Sequence, residues 1–359
     1  RTIFKHGMFY KMEKKSVILI KNSALKFTIK NIENTILDNA LDSQINLPHG
    51  CKSGACGSCE VELVDGEIKT KSGVFVKKNN AILLCQAHAK SEEIIVGYQK
   101  NKLDLIIRNN LNENFFSAKD YFLQVVGNKS VTPLVKELSF FVPVKLNFKF
   151  QAGSHMEIYD KKNELSRKYS IINSPEHSGY LKKNILTFLI TKNIKKGLSQ
   201  HLHDLVKVGD ILKLKGPFLS FQHEINHKFP ILAIAGGTGL SPILSILKNN
   251  LLKNNKLNIL LFLSVRDRDE ILEMNTLYKL KEKYENFSFK ITLTREKPFP
   301  NSQFLHGRVD VSLQKIFKDL STHQVLISGS DGFVETSYNH ALKLNAPKEK
   351  VYYEKFSSN

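Results

Sequence analysis

The stretch Cys51-Lys-Ser-Gly-Ala-Cys56-Gly-Ser-Cys59, with Cys85 standing alone twenty-six residues further on, decides how this chain is read. Three thiolates in one tight loop and a fourth on a distant strand is the spacing of a [2Fe–2S] cluster held by four cysteines. Such a loop must wrap two bridged irons and turn backbone N–H groups toward the sulfurs, because those hydrogen bonds favour the reduced, more negative cluster. Gly50, Gly54 and Gly57, with Ser53 and Ser58, supply the freedom for that wrap. Zinc also accepts four thiolates, but usually from two close Cys-x-x-Cys pairs, a pattern this chain lacks. His49 beside the loop reads as a loop residue, since four cysteines already complete the ligand set.

Working outward, the chain has 359 residues, 42% hydrophobic and 24% charged, a composition for two or three soluble domains. Its four cysteines all fall in the one pattern, leaving none for disulfides and pointing to a reducing cytoplasm. The longest apolar candidate, Phe229 to Leu247, is interrupted by glycines, serines and Pro242, so no membrane span is expected. The first fifteen residues, opening on Arg1 with Met8 and Met12 downstream, are expected to be a tail. The formal charge of +19 is uneven: over residues 16–97 nine lysines balance nine carboxylates. The excess is lysine spread thinly through the rest, which reads as a solvated basic surface able to steer an acidic partner rather than as a nucleic-acid site.

Three patterned segments follow the tail. Residues 16–100 alternate short β-type runs with a helical stretch, Thr35–Asp42, and hold the cysteine loop. Residues 101–118 are polar and asparagine-rich and read as a linker. Residues 119–228 carry closely spaced strands, which suggest an antiparallel barrel. From 229 to 359 strands alternate with helices expected to begin near Ser241, Asp269, Ser312 and Gly332, the mark of an α/β domain with a parallel sheet.

Two motifs in the barrel segment point to a nucleotide. Arg167-Lys-Tyr169-Ser170 lies on a strand, so Arg167 and Tyr169 share a face. A guanidinium suits a diphosphate and a phenol ring suits stacking on a heterocycle, although an ordinary strand with two polar residues fits the same letters. Gly197-Leu-Ser199 reads as a glycine turn with a serine cap opening a helix, able to hold phosphate or to be a plain cap. In the last segment, Gly236-Gly237-Thr238-Gly239 links a strand to a helix for which Ser241 is the expected N-cap and Pro242 the first residue. That is a pyrophosphate cradle or a tight βα turn.

Taken together these residues resemble the ferredoxin–NADP⁺ reductase superfamily in its version with a leading ferredoxin domain. Similar orders occur in reductase components of benzoate/anthranilate-type dioxygenases and multicomponent monooxygenases, and in the reductase of CDP-6-deoxy-hexulose 3-dehydrase. The resemblance spans residues 16–359. It implies a multidomain α+β and α/β architecture: a β-grasp ferredoxin domain, an antiparallel FAD-binding barrel and an α/β nicotinamide domain. It also implies that Tyr169 stacks near the flavin, Ser170 approaches its N5, and Arg167, Gly197 and Ser199 hold the FAD phosphates. Gly236, Gly237, Thr238 and Gly239 would hold the NAD(P)H pyrophosphate. The ending Tyr353-Glu354-Lys355-Phe356 is similar to that of the dioxygenase reductases, placing Glu354 and Phe356 near the flavin. One departure is Ser328-Gly329-Ser330, where the superfamily usually has Cys-Gly-Pro; Ser328 would stand at the hydride-transfer site.

The implied activity is an NAD(P)H oxidoreductase passing electrons from NAD(P)H to FAD, to the [2Fe–2S] cluster, and out to a separate oxygenase or dehydrase component. FAD suits the adapter role because hydride brings two electrons and a cluster takes one. Thr294-Arg295-Glu296 resembles the Ser-Arg step that holds the 2′-phosphate of NADPH, and Arg266 and Arg268 after the preceding strand could help, whereas the dioxygenase reductases generally use NADH; the donor stays open between the two. Rival readings are a redox sensor, a diaphorase without a dedicated partner, and a membrane-anchored respiratory chain, the last disfavoured by the missing span. His201 and His203 read as surface or capping residues.

Overall fold

Val17–Ile20 (β1), apolar throughout, pairs antiparallel with Lys26–Thr28 (β2), and the two-residue alternation of side chains buries Ile18, Ile20 and Phe27. The computed structural model describes residues 16–49, 52–54, 57–111, 118–175, 181–193, 197–219, 221, 223–253, 256–298 and 302–356. The chain divides into two compact units: residues up to Leu47 with Cys59–Leu103, and Pro48–Ser58 with Asp104–Asn359.

In the first unit, Ile36–Asp42 forms α1. Thr35 caps it: its Oγ1 accepts the Asp38 N–H at 3.1 Å and donates to the Asp38 carboxylate at 2.6 Å. Ile36, Leu37 and Ala40 line its inner face and are fully buried, the two larger side chains contributing about 2 kcal/mol each. Asn39, also fully buried, accepts the Lys30 and Asn31 N–H groups and donates to the Asn31, Asn34 and Thr35 carbonyls, which ties the preceding loop to the helix. The remaining strands are Glu60–Asp65 (β3), Glu67–Thr70 (β4), Phe75–Lys77 (β5), Asn80–Leu83 (β6), Ala87–Ala89 (β7) and Glu93–Gly97 (β8). A five-stranded sheet in the order β2-β1-β8-β3-β6, with β1 and β8 parallel, and a small β5-β4-β7 sheet give the expected β-grasp arrangement. The division between the units falls inside Lys100–Leu111, where residues 101–118 were expected to be irregular linker and a helix (α2) stands instead. Its Leu103 and Ile106 are buried at i, i+3 spacing, a short apolar stripe that the polar composition hid.

In the second unit, Lys119–Ser130 (β9), Val135–Phe141 (β10), Ser154–Tyr159 (β11), Ser166–Ser170 (β12), Ile185–Thr191 (β13) and Ile211–Leu219 (β14) form an antiparallel sheet. Its order is β12-β11-β14-β9-β10-β13. A bridge between Ile171 and Phe188 links the two edges, so the sheet nearly closes on itself, around Phe140, Phe150, Met156, Phe188 and Leu214. The helix Leu198–Asp204 (α3) lies between β13 and β14 in the chain.

The α/β part holds Ile231–Gly236 (β15), Leu240–Leu252 (α4), Ile259–Val265 (β16), Met274–Lys283 (α5), Phe287–Leu293 (β17), Leu305–His306 (β18), Val309–Ile316 (α6), Gln324–Ser330 (β19), Asp331–Lys343 (α7) and Val351–Phe356 (β20). The six strands are all parallel in the order β18-β17-β16-β15-β19-β20. Chain order reverses at the β15/β19 boundary, where such sheets open a crevice at their carboxyl ends. Two helices begin away from their expected positions. α5 starts at Met274 because Arg266–Glu270 and Arg268–Glu296 pairs hold residues 266–270 in a separate tight turn; α6 starts earlier, at Val309. Barrel and α/β parts share one apolar cluster in which Val135, Ala152, Ile172 and Leu189 meet Ile243, Ile246 and Leu247 of α4. Among the described residues no helix is long and apolar enough to cross a membrane.

Candidate functional site

Pairing of β3 with β6 in the register Glu60↔Leu83 brings the residues just outside each strand together. Cys59 precedes β3 and Cys85 follows β6; both are 2% exposed, with their Sγ atoms 3.2 Å apart. That distance is too long for a disulfide, whose sulfurs stand about 2.05 Å apart. It is close to the roughly 3.8 Å set by two thiolates on one tetrahedral metal with bonds of about 2.3 Å. Gln86 Nε2 lies 3.6 Å from the Cys85 sulfur as a donor, a contact the spacing argument did not anticipate. Burial pushes the Lys102 ammonium below its ordinary range, while Cys59 and Glu60 pull it back. A buried, convergent thiol pair with a cation beside it fits an iron–sulfur cluster. Cys51 and Cys56 lie outside the described residues.

On β12, Arg167 is exposed whereas Tyr169 is half-buried against the barrel core, so the two residues expected to share a face differ in exposure. Burial raises the Tyr169 phenol well above its ordinary value, so it stays neutral. Ser170, 7% exposed, donates to Glu354 Oε2 at 3.4 Å, and Glu354 on β20 is itself 6% exposed. In the β19/β20 ladder Glu354 stands opposite Ser328, and Phe356, half-buried, stands opposite Ser330. Ser170, Ser328 and Glu354, drawn from three strands, are thus gathered at the β19/β20 carboxyl ends. Ser328 is fully buried, and its Oγ has no hydrogen-bond partner among the described residues. Such a hydroxyl costs free energy unless a ligand satisfies it.

Gly197, not a serine, is the N-cap of α3, and a Cβ there would meet nothing within 4 Å, leaving open space at the helix start. Ser199 is buried inside the first turn, and its Oγ accepts the Asn193 N–H at 3.2 Å, so the hydroxyl orders the preceding loop instead of capping. His203 is not a surface residue: it is 8% exposed, and its Nε2 donates to the Ile190 carbonyl at 2.7 Å.

Gly236–Gly239 forms the turn from β15 into α4. Gly239 is the N-cap where Ser241 was expected; Ser241 is the second helical residue, 2% exposed, displaced because the glycine turn winds directly into the helix. A Cβ on Gly239 would lie 2.3 Å from the Ser328 carbonyl oxygen, and one on Gly236 would lie 2.9 Å from the Phe333 ring. These glycines therefore let the turns after β15 and β19 touch. Gly237, at φ +53°, has nothing within 4 Å of its would-be Cβ, an open concavity at the positive end of a thirteen-residue helix. Thr238 Oγ1 is 3.0 Å from Thr191 Oγ1 of β13, and Ser245 Oγ donates to the Asn173 carbonyl at 2.5 Å, tying the turn and α4 to the barrel. The open cradle, the buried Ser328 hydroxyl and the half-buried Tyr169 fit a flavin facing a dinucleotide.

At the ends of β16 and β17, Arg266 is clamped by Glu270 through Nε (2.8 Å) and Nη2, and Arg268 is bonded to Glu296. Arg295, exposed, donates its backbone N–H to the Arg266 carbonyl at 2.8 Å, and among the described residues its guanidinium makes no ion pair.

Three family models match the chain in succession: a 2Fe-2S iron-sulfur cluster binding domain over residues 18–90, an oxidoreductase FAD-binding domain over 123–223 and an oxidoreductase NAD-binding domain over 233–338. The chain is 28% identical over 306 residues to the reductase component 1 of terephthalate 1,2-dioxygenase from Comamonas sp, covering 84% of this chain and 86% of that one. It is 28% identical over 228 residues to the CDP-6-deoxy-L-threo-D-glycero-4-hexulose-3-dehydrase reductase of Yersinia pseudotuberculosis, covering 62% and 64%. Its fold matches the crystal structure of an Amycolatopsis cytochrome P450 reductase with a TM-score of 0.75 at 18% identity, over 95% of this chain and 99% of that one.

Proposed function

We propose that this chain, which belongs to the ferredoxin–NADP⁺ reductase superfamily with a [2Fe–2S] domain ahead of its flavin and nicotinamide domains, is the NADH-dependent reductase component of an oxygenase. It is an NAD(P)H oxidoreductase in which FAD, when bound, supplies the conversion between a two-electron hydride donor and a one-electron cluster that serves a partner component. The remaining chemistry is done by the chain's own groups. In this reading Cys51, Cys56, Cys59 and Cys85 hold the cluster, and Arg167, Tyr169, Gly197 and Ser199 hold FAD. Gly236, Gly237, Thr238 and Gly239 cradle the dinucleotide pyrophosphate on backbone N–H groups. Ser170, Ser328, Glu354 and Phe356 border the exchange site, and the Ser170–Glu354 hydrogen bond is the observation that carries it, because it brings a barrel strand and the last nucleotide-domain strand to one point.

NADH is favoured over NADPH on charge. Glu270 and Glu296 neutralise Arg266 and Arg268, leaving Arg295 alone to meet a 2′-phosphate, whereas a carboxylate at this sheet edge suits a ribose hydroxyl. An oxygenase is favoured over a dehydrase because the dioxygenase reductase relative is matched over 84% of the chain and the dehydrase reductase over 62%. A cytoplasmic location follows from a ligand set that must be reduced before it can bind iron. Steady-state oxidation of NADH and of NADPH with cytochrome c as acceptor tests the reading. A kcat/KM for NADH at least tenfold above that for NADPH is expected; equal or reversed values would overturn the donor assignment, and no turnover with either would overturn the reductase.

A further inference from the structure

Within the first unit, β4 and β5 form a hairpin whose turn ends in two adjacent apolar residues, Val74 and Phe75, 58% and 57% exposed. The turn is held shut from several sides. The Thr70 N–H donates to the Val74 carbonyl at 2.8 Å, and the Thr70 Oγ1 accepts the Val74 N–H at 3.0 Å. Gly73 closes it at φ +92°, a left-handed conformation that glycine adopts without a steric penalty. Lys69 stands opposite Phe75 in the ladder, and its Nζ lies 5.4 Å from the centre of the ring. Strand alternation puts Lys69, Phe75 and Lys77 on one face and Ile68, fully buried, with Val76 on the other.

The zero net charge of residues 16–97 hides a dipole. The hairpin from Glu67 to Lys78 holds four of the nine lysines, Lys69, Lys71, Lys77 and Lys78, against one carboxylate, Glu67. The rest of that segment has five lysines and eight carboxylates. Lys71, Lys77 and Lys78 are exposed, and none of the four makes an ion pair among the described residues. Single exposed apolar side chains are ordinary. Two side by side on a fixed tip flanked by unpaired lysines have the apolar centre and charged rim of a protein interface. The hairpin is also tied to the neighbourhood of Cys85. Thr70 pairs with Ala87 of β7, and the Lys71 N–H donates to the Gln86 carbonyl at 2.8 Å, one residue from that buried thiol.

We infer that the β4–β5 hairpin is the docking surface for a protein whose own face is acidic around an apolar centre, and that this protein is the electron acceptor. The inference rests on the reductase reading given above. Charge chooses the occupant. A second copy of this chain would bring the same lysines on a body of formal charge +19 and be repelled, whereas an acidic face is drawn in and covers Val74 and Phe75. The acidic remainder of residues 16–97 turns such a partner away from the other sides, so that it arrives at the hairpin bonded beside Cys85. Docking forms and breaks no covalent bond. Each encounter reduces the partner by one electron, and two are released for each NADH oxidised to NAD⁺ and a proton.

The test uses the full chain loaded with FAD and cluster. Cytochrome b5, an acidic one-electron haem protein, is the probe, and cytochrome c, a basic one, is its opposite. Surface plasmon resonance reads the Kd of cytochrome b5, and steady-state NADH oxidation reads kcat/KM for each haem protein beside ferricyanide. Lys71→Glu with Lys77→Glu should weaken cytochrome b5 binding about tenfold at low salt and little at about 0.5 M salt, where charges are screened. The same pair should raise kcat/KM for cytochrome c. Phe75→Ser should weaken cytochrome b5 binding about fivefold at either salt, the loss of one aromatic anchor. Ferricyanide reduction should stay within about twofold throughout, as for exposed substitutions away from a site. No cytochrome b5 binding by wild type at low salt, or wild-type binding by the charge-reversed pair, overturns the inference. Binding of wild type to phosphatidylcholine vesicles containing phosphatidylserine, lost in Phe75→Ser while cytochrome b5 binding is unchanged, would give the tip to a membrane and overturn it too. Failure of wild type to reduce either haem protein while it reduces ferricyanide would overturn the relay reading instead.

Discussion

Ser170 of the barrel and Glu354 of the last strand, 184 residues apart in the chain, share a hydrogen bond of 3.4 Å in a buried setting. The acceptor is a carboxylate on β20 and the donor a hydroxyl on β12, so the bond ties the barrel to the last strand of the parallel sheet, the two parts that the proposed exchange site joins. Ser170→Ala and Glu354→Ala are each expected to slow NADH-dependent ferricyanide reduction about tenfold, because a hydrogen bond to a charged group is worth about 1.5 kcal/mol or more. The double variant should be little slower than either single one. Steady-state rates at saturating NADH check this.

Ser328 pairs in the β19/β20 ladder with Glu354, yet its own hydroxyl is buried without a partner among the described residues. Ser328→Ala should therefore stabilise the cofactor-free protein by about 1 kcal/mol, a rise of about 2–4 °C in the unfolding midpoint. In the proposed reading, which places this hydroxyl at the exchange site, the same change should slow NADH oxidation. Calorimetry of the apoprotein and turnover of the loaded enzyme read the two effects in opposite directions.

Two neighbouring glycines separate steric from conformational demand. Gly239→Ala would force a Cβ to 2.3 Å from the Ser328 carbonyl oxygen, backbone that cannot yield, and should abolish dinucleotide binding and lower the unfolding midpoint. Gly237→Ala meets open space and is opposed only by its φ of +53°, a cost of about 1–2 kcal/mol. NADH titration of both variants should show this large difference.

Acid should weaken the protein through its buried histidines. Burial is the leading cause that lowers the folded-state pKa of His155, His203 and His223 below the ordinary value near 6.5. The unfolded chain then binds more protons, so the stability these residues contribute is complete above about pH 6.5 and is lost as pH falls toward the folded-state values. Thermal unfolding should show a midpoint that is flat from about pH 8 to 7 and declines below about pH 6.5. His203→Gln should flatten part of the decline.

Much of this architecture was legible in the letters because its elements are strongly patterned. The closely spaced apolar runs of residues 119–228 marked the antiparallel sheet, and the glycine turn after β15 marked the start of α4. The helix Lys100–Leu111 was not legible, since Leu103 and Ile106 are a thin apolar stripe in an asparagine-rich segment. The caps at Ser199 and Ser241 were misread because serine at a helix start is equally able to bond a loop N–H or lie inside the first turn. At the site, Ser170, Ser328 and Glu354 were named from motifs, but their meeting depends on long-range strand pairing that local sequence does not encode. Gln86 beside Cys85 and Phe333 beneath Gly236 had no signal at all: each is defined only by what the fold places next to it.

The central claim is that electrons leave through the cluster. Cys85 contributes a buried thiol 3.2 Å from that of Cys59, so in the proposed reading Cys85→Ser removes one of the four cluster ligands. The direct measurement is NADH-driven reduction of cytochrome c beside that of ferricyanide, in wild type and in Cys85→Ser loaded with FAD. The account predicts that cytochrome c reduction falls by at least a hundredfold, from about 3 kcal/mol of lost transition-state access, while ferricyanide reduction stays within about twofold. Cytochrome c reduction at the wild-type rate in the variant would contradict it.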